Sequence, residues 1–500
     1  MNLYWGDLHN HCGISYGFGS LKNALTIAEK HLDFCCVTGH AMWPDIYKKT
    51  ADTQFVVDFH RQGFQKLHDH WDEVRETVNR YNTENLVTFQ SYEMHSSNWG
   101  DHHFVSPDAN FPLIYRSSPG ELIQDCGCNA IAVPHHIGYT PGYRGIDWDG
   151  FQPSISPIVE VYSKHGCSMR ADGPFPYYHD MGPLDPRNTV AEGLKRGLRF
   201  SFVGSTDHHA GFPGSYGDGL AAVWAEGKTR EDIFEAIKKG HTYAVTGDRI
   251  RCQMHLNDAM IGDTTTADKR EITITAEGDA PLNAILLRKN GCLVASKVFD
   301  AAHTSTAVTA SATKQRYILR LEMGWSSSEE LYHWEGRLQA KNGELIRVQP
   351  YWRGRNALSP RYKEADAADQ TNALRNSFQF DRHCADFECD TLRNPSTLQP
   401  QTSAFVFEVQ GDSHTEIILD INGFHHEISL SELLACGFSN HVLPWHTHAY
   451  LMHTAYMLQA CSGILTFSDM PELEQDIYQA EVVQANGCRA FLSPIYARRA

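Results

Sequence analysis

The stretch Asp7-Leu8-His9-Asn10-His11 puts a carboxylate and two imidazoles at alternate positions. Side chains two apart on an extended chain point the same way, so His9 and His11 can share one cation, with Asp7 on the same face. Such a pair alone fits ordinary polar packing as well as metal binding. Recurrence shifts the balance. His40 follows Phe34-Cys35-Cys36-Val37-Thr38-Gly39, Glu93 follows the apolar run 86–89, and His102 and His103 come next in what reads as a polar loop. His135 and His136 end the run 130–133, Glu160 and His165 flank the end of 158–161, and Thr206-Asp207-His208-His209 follows 200–203. Imidazoles and carboxylates in this mixture suit zinc, manganese or iron. Two such ions ~3.5–4 Å apart would activate a water and polarise a scissile bond, which is hydrolytic chemistry. Arg144, Lys164, His165 and Arg170 could hold the anionic group of a small substrate, or could be solvated surface charge.

These side chains need elements that deliver them to one place. Up to about residue 250, strand-like and helix-like segments alternate. Ser20 reads as an N-cap before Leu21, Ala24, Leu25 and Ala28. Phe64, Leu67, Trp71, Val74, Val78 and Tyr81 recur at three-four spacing and predict a long amphipathic helix. Thr229-Arg-Glu-Asp232 resembles a capping box. The alternation predicts parallel βα units, with ligands beyond the C-terminal ends of the strands. After about residue 251 the pattern turns to period two, as in 271–275. Lys289-Asn290-Gly291 and Asp420-Ile-Asn-Gly423 read as hairpin turns, and 316–321 and 405–409 as strands. The reading is α/β with two domains: 1–250, a barrel-like metal-binding unit, and 251–500, a β-rich, sandwich-like unit with long loops around 353–402.

Composition sets the outer limits. A chain of 500 residues is long for one core. The net charge of -17 disfavours a broad nucleic-acid interface, although bound cations would still let a small anionic substrate in. The 13 Cys residues show no disulfide framework and read as reduced thiols. No apolar run approaches about 18 residues and no leader is evident, so a cytoplasmic, non-membrane protein is expected, with a homo-oligomer left open. His425-His426 and His446-Thr-His448 lack supporting clusters and are expected to be ordinary. Trp325, Trp334, Tyr351 and Trp352 are expected in a core or interface.

The ordered series Asp-x-His-x-His at 7–11, Thr-x-His at 38–40, then Glu93, His135 and Asp-x-His at 207–209 resembles the PHP (polymerase and histidinol phosphatase) superfamily. Gly-Asp-Leu-His at 6–9, Val159-Glu-Val-Tyr162 with His165-Gly166, and Gly204-Ser-Thr-Asp-His-His-Ala-Gly211 with Pro213-Gly214 resemble one branch of PHP-like hydrolases of largely unassigned function. The runs at 219–226, 229–231 and 242–247 add to the likeness, which covers roughly residues 3–250. The resemblance implies a distorted (β/α)7 barrel holding two or three divalent ions. His9, His11, Glu93 and Asp207 would hold the first. Glu93 would bridge to a second held by His103 and His135, and His40 and His209 would serve a third. His102 and His136 remain the alternatives to their neighbours. The sequence departs from the family at Gly39, where Asp is usual, and between Cys12 and Gly19, where no His or carboxylate occurs, which favours two ions over three. The implied function is a phosphoesterase acting on a small phosphorylated substrate. Asp207 would act as ligand and proton acceptor, and His209 or His40 would protonate the leaving group. The alternatives are an amide or lactone hydrolase and a catalytically degenerate metal-binding module.

Overall fold

A computed structural model describes residues 1–175, 182–299, 310–325, 331–355, 375–392, 401–445 and 447–500. The first half contains β1 (Asn2–Asp7), α1 (Leu21–His31), β2 (Phe34–Cys36), β3 (Gly39–Met42), α2 (Gln54–Arg80), β4 (Val87–Met94), β5 (His102–Ser106), α3 (Pro119–Asp125) and β6 (Ile131–Pro134). It continues with β7 (Ile158–Ser163), β8 (Gly166–Cys167), α4 (Val190–Lys195), β9 (Ser201–Gly204), β10 (Leu220–Ala225), α5 (Arg230–Lys239) and β11 (Thr242–Val245). The Ser20 hydroxyl accepts from the Asn23 N–H, which caps α1 as expected. Helix α2 begins at Gln54, earlier than its apolar stripe suggests, and buries Val57, Leu67, Trp71, Val74 and Val78.

The fold is mixed α/β and rich in strands. One sheet runs β6-β5-β4-β2-β1-β10-β11 and continues through Arg489–Arg498, Gln475–Gln484, Leu282–Lys289 and Cys292–Val298. Strands β1, β2 and β4 are parallel. By contrast β4-β5-β6 and β1-β10-β11 are antiparallel. The expected run of parallel βα units therefore does not describe this half. The 95–101 segment links β4 to β5 directly, too short for a parallel crossover, which needs about a dozen residues or more. Strand β7 pairs with β9 in a separate sheet. β6 lies against β7, and β9 against β10 and β11, with no ladder joining them. No closed hydrogen-bonded barrel forms among the described residues.

In the second half, two sheets share one core. Gln315–Gly324, Glu344–Tyr351 and Ser403–Gly411 belong to the first, and Tyr332–Lys341, Cys384–Thr391 and Glu416–Ile421 to the second. Trp334, Leu338, Phe387, Phe405 and Phe407 fill the space between them. Both hairpin turns take the left-handed backbone their residues favour, with Asn290 and Gly291 at φ 50° and 82° and Asn422 and Gly423 at 46° and 84°. The stretch 353–402 is not only loop. Ser377–Phe380 and Cys384–Thr391 pair within it because Ala385, Phe387 and Cys389 alternate inward. The rest of that stretch, 356–374 and 393–400, lies outside the described residues, as does His446. Trp334, Tyr351 and Trp352 are buried, whereas Trp325 is 36% exposed. All 13 cysteines are free, and among the described residues no helix is long and apolar enough to cross a membrane.

Candidate metal centre

Backbone hydrogen bonds stitch the first motif to the last. The Asp207 N–H donates to the His9 carbonyl (2.7 Å), the His11 N–H to that of His208 (2.8 Å), and the Gly211 N–H to that of His11 (2.9 Å). The Thr38 N–H donates to the Asn10 carbonyl (2.7 Å), tying in the end of β2. The Asp7 carboxylate serves this stitching and does not face the ligand atoms. It accepts from the Thr206 N–H (3.0 Å) and hydroxyl (2.6 Å) and from the Gly214 N–H (2.9 Å). Burial pushes its pKa up to about 6 against the pull of these donors.

Donor atoms from separate strands then converge. His9 Nε2 lies 3.0 Å from His11 Nε2 and 3.4 Å from Glu93 Oε2. His11 Nε2 lies 3.0 Å from Asp207 Oδ1 and 3.3 Å from Glu93 Oε2. Glu93 also reaches His40 Nε2 (3.5 Å) through Oε2 and His135 Nε2 (3.2 Å) through Oε1. The sets His9/His103/His135, His11/His40/His209 and His40/Glu93/His95 each bring their ligand atoms within 4.8 Å of one another. Ligand atoms ~2.1 Å from a shared tetrahedral centre sit about 3.4 Å apart, so these spacings suit a common ion.

Tautomers make the fit sharper. A backbone carbonyl can only accept, so the imidazole nitrogen facing one must carry the proton. His11 Nδ1 faces the Thr38 carbonyl (2.6 Å) and His209 Nδ1 faces that of Asp207 (3.0 Å). His9 Nδ1 faces Glu160 Oε2 (2.9 Å) in the same way. In their neutral forms these three rings present bare Nε2 lone pairs. Those of His9 and His11 face each other and two carboxylates, an arrangement that repels itself until a cation sits in it. Glu160 on His9 is the carboxylate–histidine support that metal ligands use. His103 Nε2 is buried with no hydrogen-bond partner, a further donor left open.

The charge states agree with this reading in part: burial works against a charge on His9, but Asp207 and Glu160 lift its pKa well above the usual value, so a bound cation would have to displace that proton. Burial would raise the pKa of Glu93, yet His95, His40 and His135 hold it well below the usual range. Asp207 is likewise held low, by His9 and His165, against burial. Burial and imidazole neighbours keep His40, His103 and His209 well below their usual value, and His135 falls to about 3. Ionised carboxylates beside neutral imidazoles are the protonation states that bind metal. His136 differs. Burial works against its charge, but hydrogen bonds to Asp101 and Asp207 lift it to about 9.

Three non-glycine residues around the centre occupy the left-handed backbone region: His136 (φ 52°), Arg144 (74°) and Asp207 (47°). Each costs on the order of 1–3 kcal/mol and persists only where the surroundings enforce it.

The structure brings together His9, His11, His40, Glu93, His103, His135, Asp207 and His209. His165 joins them, with Nε2 3.1 Å from Asp207 Oδ2, although not aligned as a hydrogen bond. His102 does not join. Alternation along β5 turns it away, and its Nδ1 bonds to the Gly100 carbonyl (2.9 Å). Arg144 is buried and paired with Asp101. Lys164 is engaged with Asp218 (3.4 Å), and Arg170 with Asp172 and Glu481, so neither is directed at the cluster's carboxylates. His425 pairs with Asp420 at the surface, and His448 stacks on Tyr332.

Several members went unnoticed in the sequence. His95 Nδ1 lies 2.9 Å from Glu93 Oε1 and 3.1 Å from Asp101 Oδ2, and Tyr16 reaches its Nε2 at 2.5 Å. Asp101 also meets His136 Nδ1 (3.2 Å) and accepts from the Ser96 N–H (3.0 Å). The signal was Ser96-Ser97-Asn98-Trp99-Gly100, a turn composition that marks a hairpin and carries Asp101 back beside His95.

Comparison with known proteins adds context. A family model described as a protein of unknown function (DUF3604) matches residues 214–291. An uncharacterized protein of Chlamydia pneumoniae is 28% identical, the match covering 58% of this chain and 48% of that protein. An uncharacterized protein of Chlamydia muridarum is 32% identical over 29% of this chain and 27% of its own length. The chain thus spans about half or less of these relatives. Among solved structures, a two-domain protein containing a predicted PHP-like metal-dependent phosphoesterase from Bacteroides vulgatus matches 86% of this chain and 95% of its own. Its identity is 11% and its TM-score 0.31, too low to carry an argument.

Proposed function

We propose that the protein is a metal-dependent hydrolase, and that its substrate is a small phosphoester. One observation carries the reading: imidazoles anchored through Nδ1 to a carbonyl and a carboxylate aim their Nε2 atoms at Glu93 and Asp207 in a buried space. In this reading His9, His11, Glu93 and Asp207 hold one ion, and Glu93, His103 and His135 a second. His40, His209 and His95 surround a third position. A Cβ at Gly39 would lie 2.6 Å from the end of the Leu67 side chain on α2, so a carboxylate there would require Leu67 to move. His95 offers a further donor beside His40 and Glu93. Zinc, manganese and iron all suit the donors.

When bound, the ions would polarise the phosphoryl group and lower the pKa of an attacking water to about 7. The protein's own groups do the rest. Glu160 and the Thr38 carbonyl fix the His9 and His11 rings. Asp207 accepts the water's proton at Oδ2, beside His136. The His209 Nε2 presents a lone pair, and burial keeps both His209 and His40 neutral, which suits each to be a ligand rather than a proton donor. Arg144 and Asp101 hold His95 and His136 in place, and burial keeps bulk water out. We further propose that the first-half strands act as an open, distorted barrel, extended by the strands at 282–298 and 475–498 of the same sheet, with the rest of 251–500 as a second unit, and that the protein works in the cytoplasm.

The test is metal analysis joined to a panel of phosphate esters, amides and lactones, on wild type and Asp207→Asn. Metal-dependent phosphoester turnover that the variant loses supports the reading. Turnover confined to amides or lactones would replace the substrate class, and full activity without metal would end it.

A further inference from the structure

Asp207 and His209 sit on a stretch that the second half braces from outside. The Trp352 carbonyl accepts from the Tyr216 N–H (2.8 Å), and the Gly354 N–H donates to the Ser215 hydroxyl (3.2 Å). Between them Arg353 donates through Nη1 to the Tyr216 carbonyl (2.9 Å), and its guanidinium lies 4.7 Å from the Tyr216 ring centroid. The Arg355 guanidinium lies 4.8 Å from the ring centroid of Phe18, whose N–H donates to the His209 carbonyl (2.9 Å). Gly354 comes closest. A Cβ on it would lie 2.5 Å from Phe212 Cβ and 2.8 Å from His208 Cε1, so only glycine lets the backbone run this near. Phe212 and His208 are both fully buried, and Phe212 is packed in the core of the second half with Trp352 and Phe405. A side chain at 354 would therefore be relieved by moving His208. That residue stands between Asp207 and His209, and its carbonyl accepts from the His11 N–H (2.8 Å).

We propose that Gly354 is a positioning residue for the metal centre, through which the second half fixes Asp207 and His209. The proposal rests on the metal-centre reading and not on the class of substrate. Asp207 holds a left-handed backbone (φ 47°), which persists only where its surroundings enforce it. Hydrogen bonds with the first motif hold the 207–211 stretch on one side, and the 352–355 segment holds its continuation on the other. That segment is in turn tied to the second half's own sheet, because it follows the strand Glu344–Tyr351 directly and the Arg353 N–H donates to the Ser403 hydroxyl (3.4 Å). Metal affinity then depends on a residue that contributes no donor atom.

The experiment compares Gly354→Ala, Ser215→Ala and Gly423→Val with wild type, all as intact chains checked by circular dichroism. Chelator competition reads zinc affinity, and the absorption of cobalt(II)-loaded protein reads the geometry of the donors. Gly354→Ala should weaken one of the bound ions about tenfold, as loss of groups that orient ligands does, and should shift the cobalt bands. Ser215→Ala frees the Gly354 N–H without crowding His208, and should weaken the same ion about threefold, the worth of one neutral hydrogen bond. Gly423→Val strains a turn of the second half where a Cβ meets nothing within 4 Å, so it should lower thermal stability and leave zinc affinity and the cobalt bands unchanged. A loss of affinity in Gly354→Ala or Ser215→Ala that Gly423→Val does not share supports the proposal, and if Gly354→Ala does not fold, Ser215→Ala decides. Zinc held as tightly as in wild type by each of the two that folds, or an equal loss in Gly423→Val, would overturn it and leave the metal centre standing. A wild-type chain that takes up no zinc would end both.

Discussion

Glu160→Ala should weaken metal binding without touching a ligand. The Glu160 carboxylate accepts from His9 Nδ1 at 2.9 Å, and both side chains are at most 2% exposed. Removing the acceptor strands a buried N–H, which costs about 1–3 kcal/mol, and frees the ring to turn. Loss of such a supporting carboxylate lowers metal affinity about 10–100-fold. That factor corresponds to about 1.4–2.8 kcal/mol, so the two routes to the magnitude agree. Competition with a chromophoric chelator at fixed pH reads zinc affinity directly. Glu160→Gln keeps an oxygen that can accept from Nδ1 and should recover part of the loss. The reasoning fails if Glu160→Ala binds zinc as tightly as wild type, or if Gln does no better than Ala while both proteins remain folded.

Other outcomes follow from the same structure. Asp207→Asn should bind fewer ions per chain and lose metal-dependent turnover, measured by elemental analysis beside an activity assay. Burial, with Arg249 nearby, lowers the pKa of His31 to about 3 from its usual 6.5, so the unfolded chain takes up a proton there that the folded chain refuses. Stability from His31 is therefore complete above pH 6.5 and falls as pH drops toward 3, by about 1.4 kcal/mol per pH unit in that window. Urea unfolding of His31→Gln should show a shallower acid-side slope than wild type. Asp248 accepts from Tyr216 (2.8 Å), Arg320 (3.0 Å), Gln484 (2.8 Å) and Asn486 (2.7 Å), joining the two halves. Asp248→Ala should cost about 1–3 kcal/mol in denaturant unfolding, because it strands the buried Gln484 amide and takes the carboxylate from the half-buried Arg320. Gly423→Val should lower thermal stability by on the order of 1–2 kcal/mol, since φ there is 84°.

What could be read in the sequence was local. Period two places His9 and His11 together, Ser20 and Thr229 announce their helices, and Asn290-Gly291 and Asn422-Gly423 announce their hairpins. Each of these signals lies within a few residues of its consequence. The register between strands is not local, and there the reading went astray. Reading His102 and His103 as part of a polar loop after the 86–89 strand hid β5 and the antiparallel return that sets Asp101 beside His95. His136 was set against His135 as an alternative, yet the two meet different carboxylates, Glu93 for one and Asp101 and Asp207 for the other. The spacing places Asp7 on the face of His9 and His11, but the Thr206 N–H and hydroxyl and the Gly214 N–H, from far along the chain, claim its oxygens. Lys164 and Arg170 looked free because their partners, Asp218 and Glu481, come from loops and strands far along the chain. The Phe387 and Cys389 alternation was masked by the polar stretches on either side of it.

The most direct measurement is the metal content of the intact protein. Purified without chelators, or reconstituted with zinc, manganese or iron(II) and then desalted, the chain should retain about two tightly held ions, falling toward none when His9 and Glu93 are both replaced by Ala. A folded wild-type chain that retains less than one ion under every condition would contradict the account.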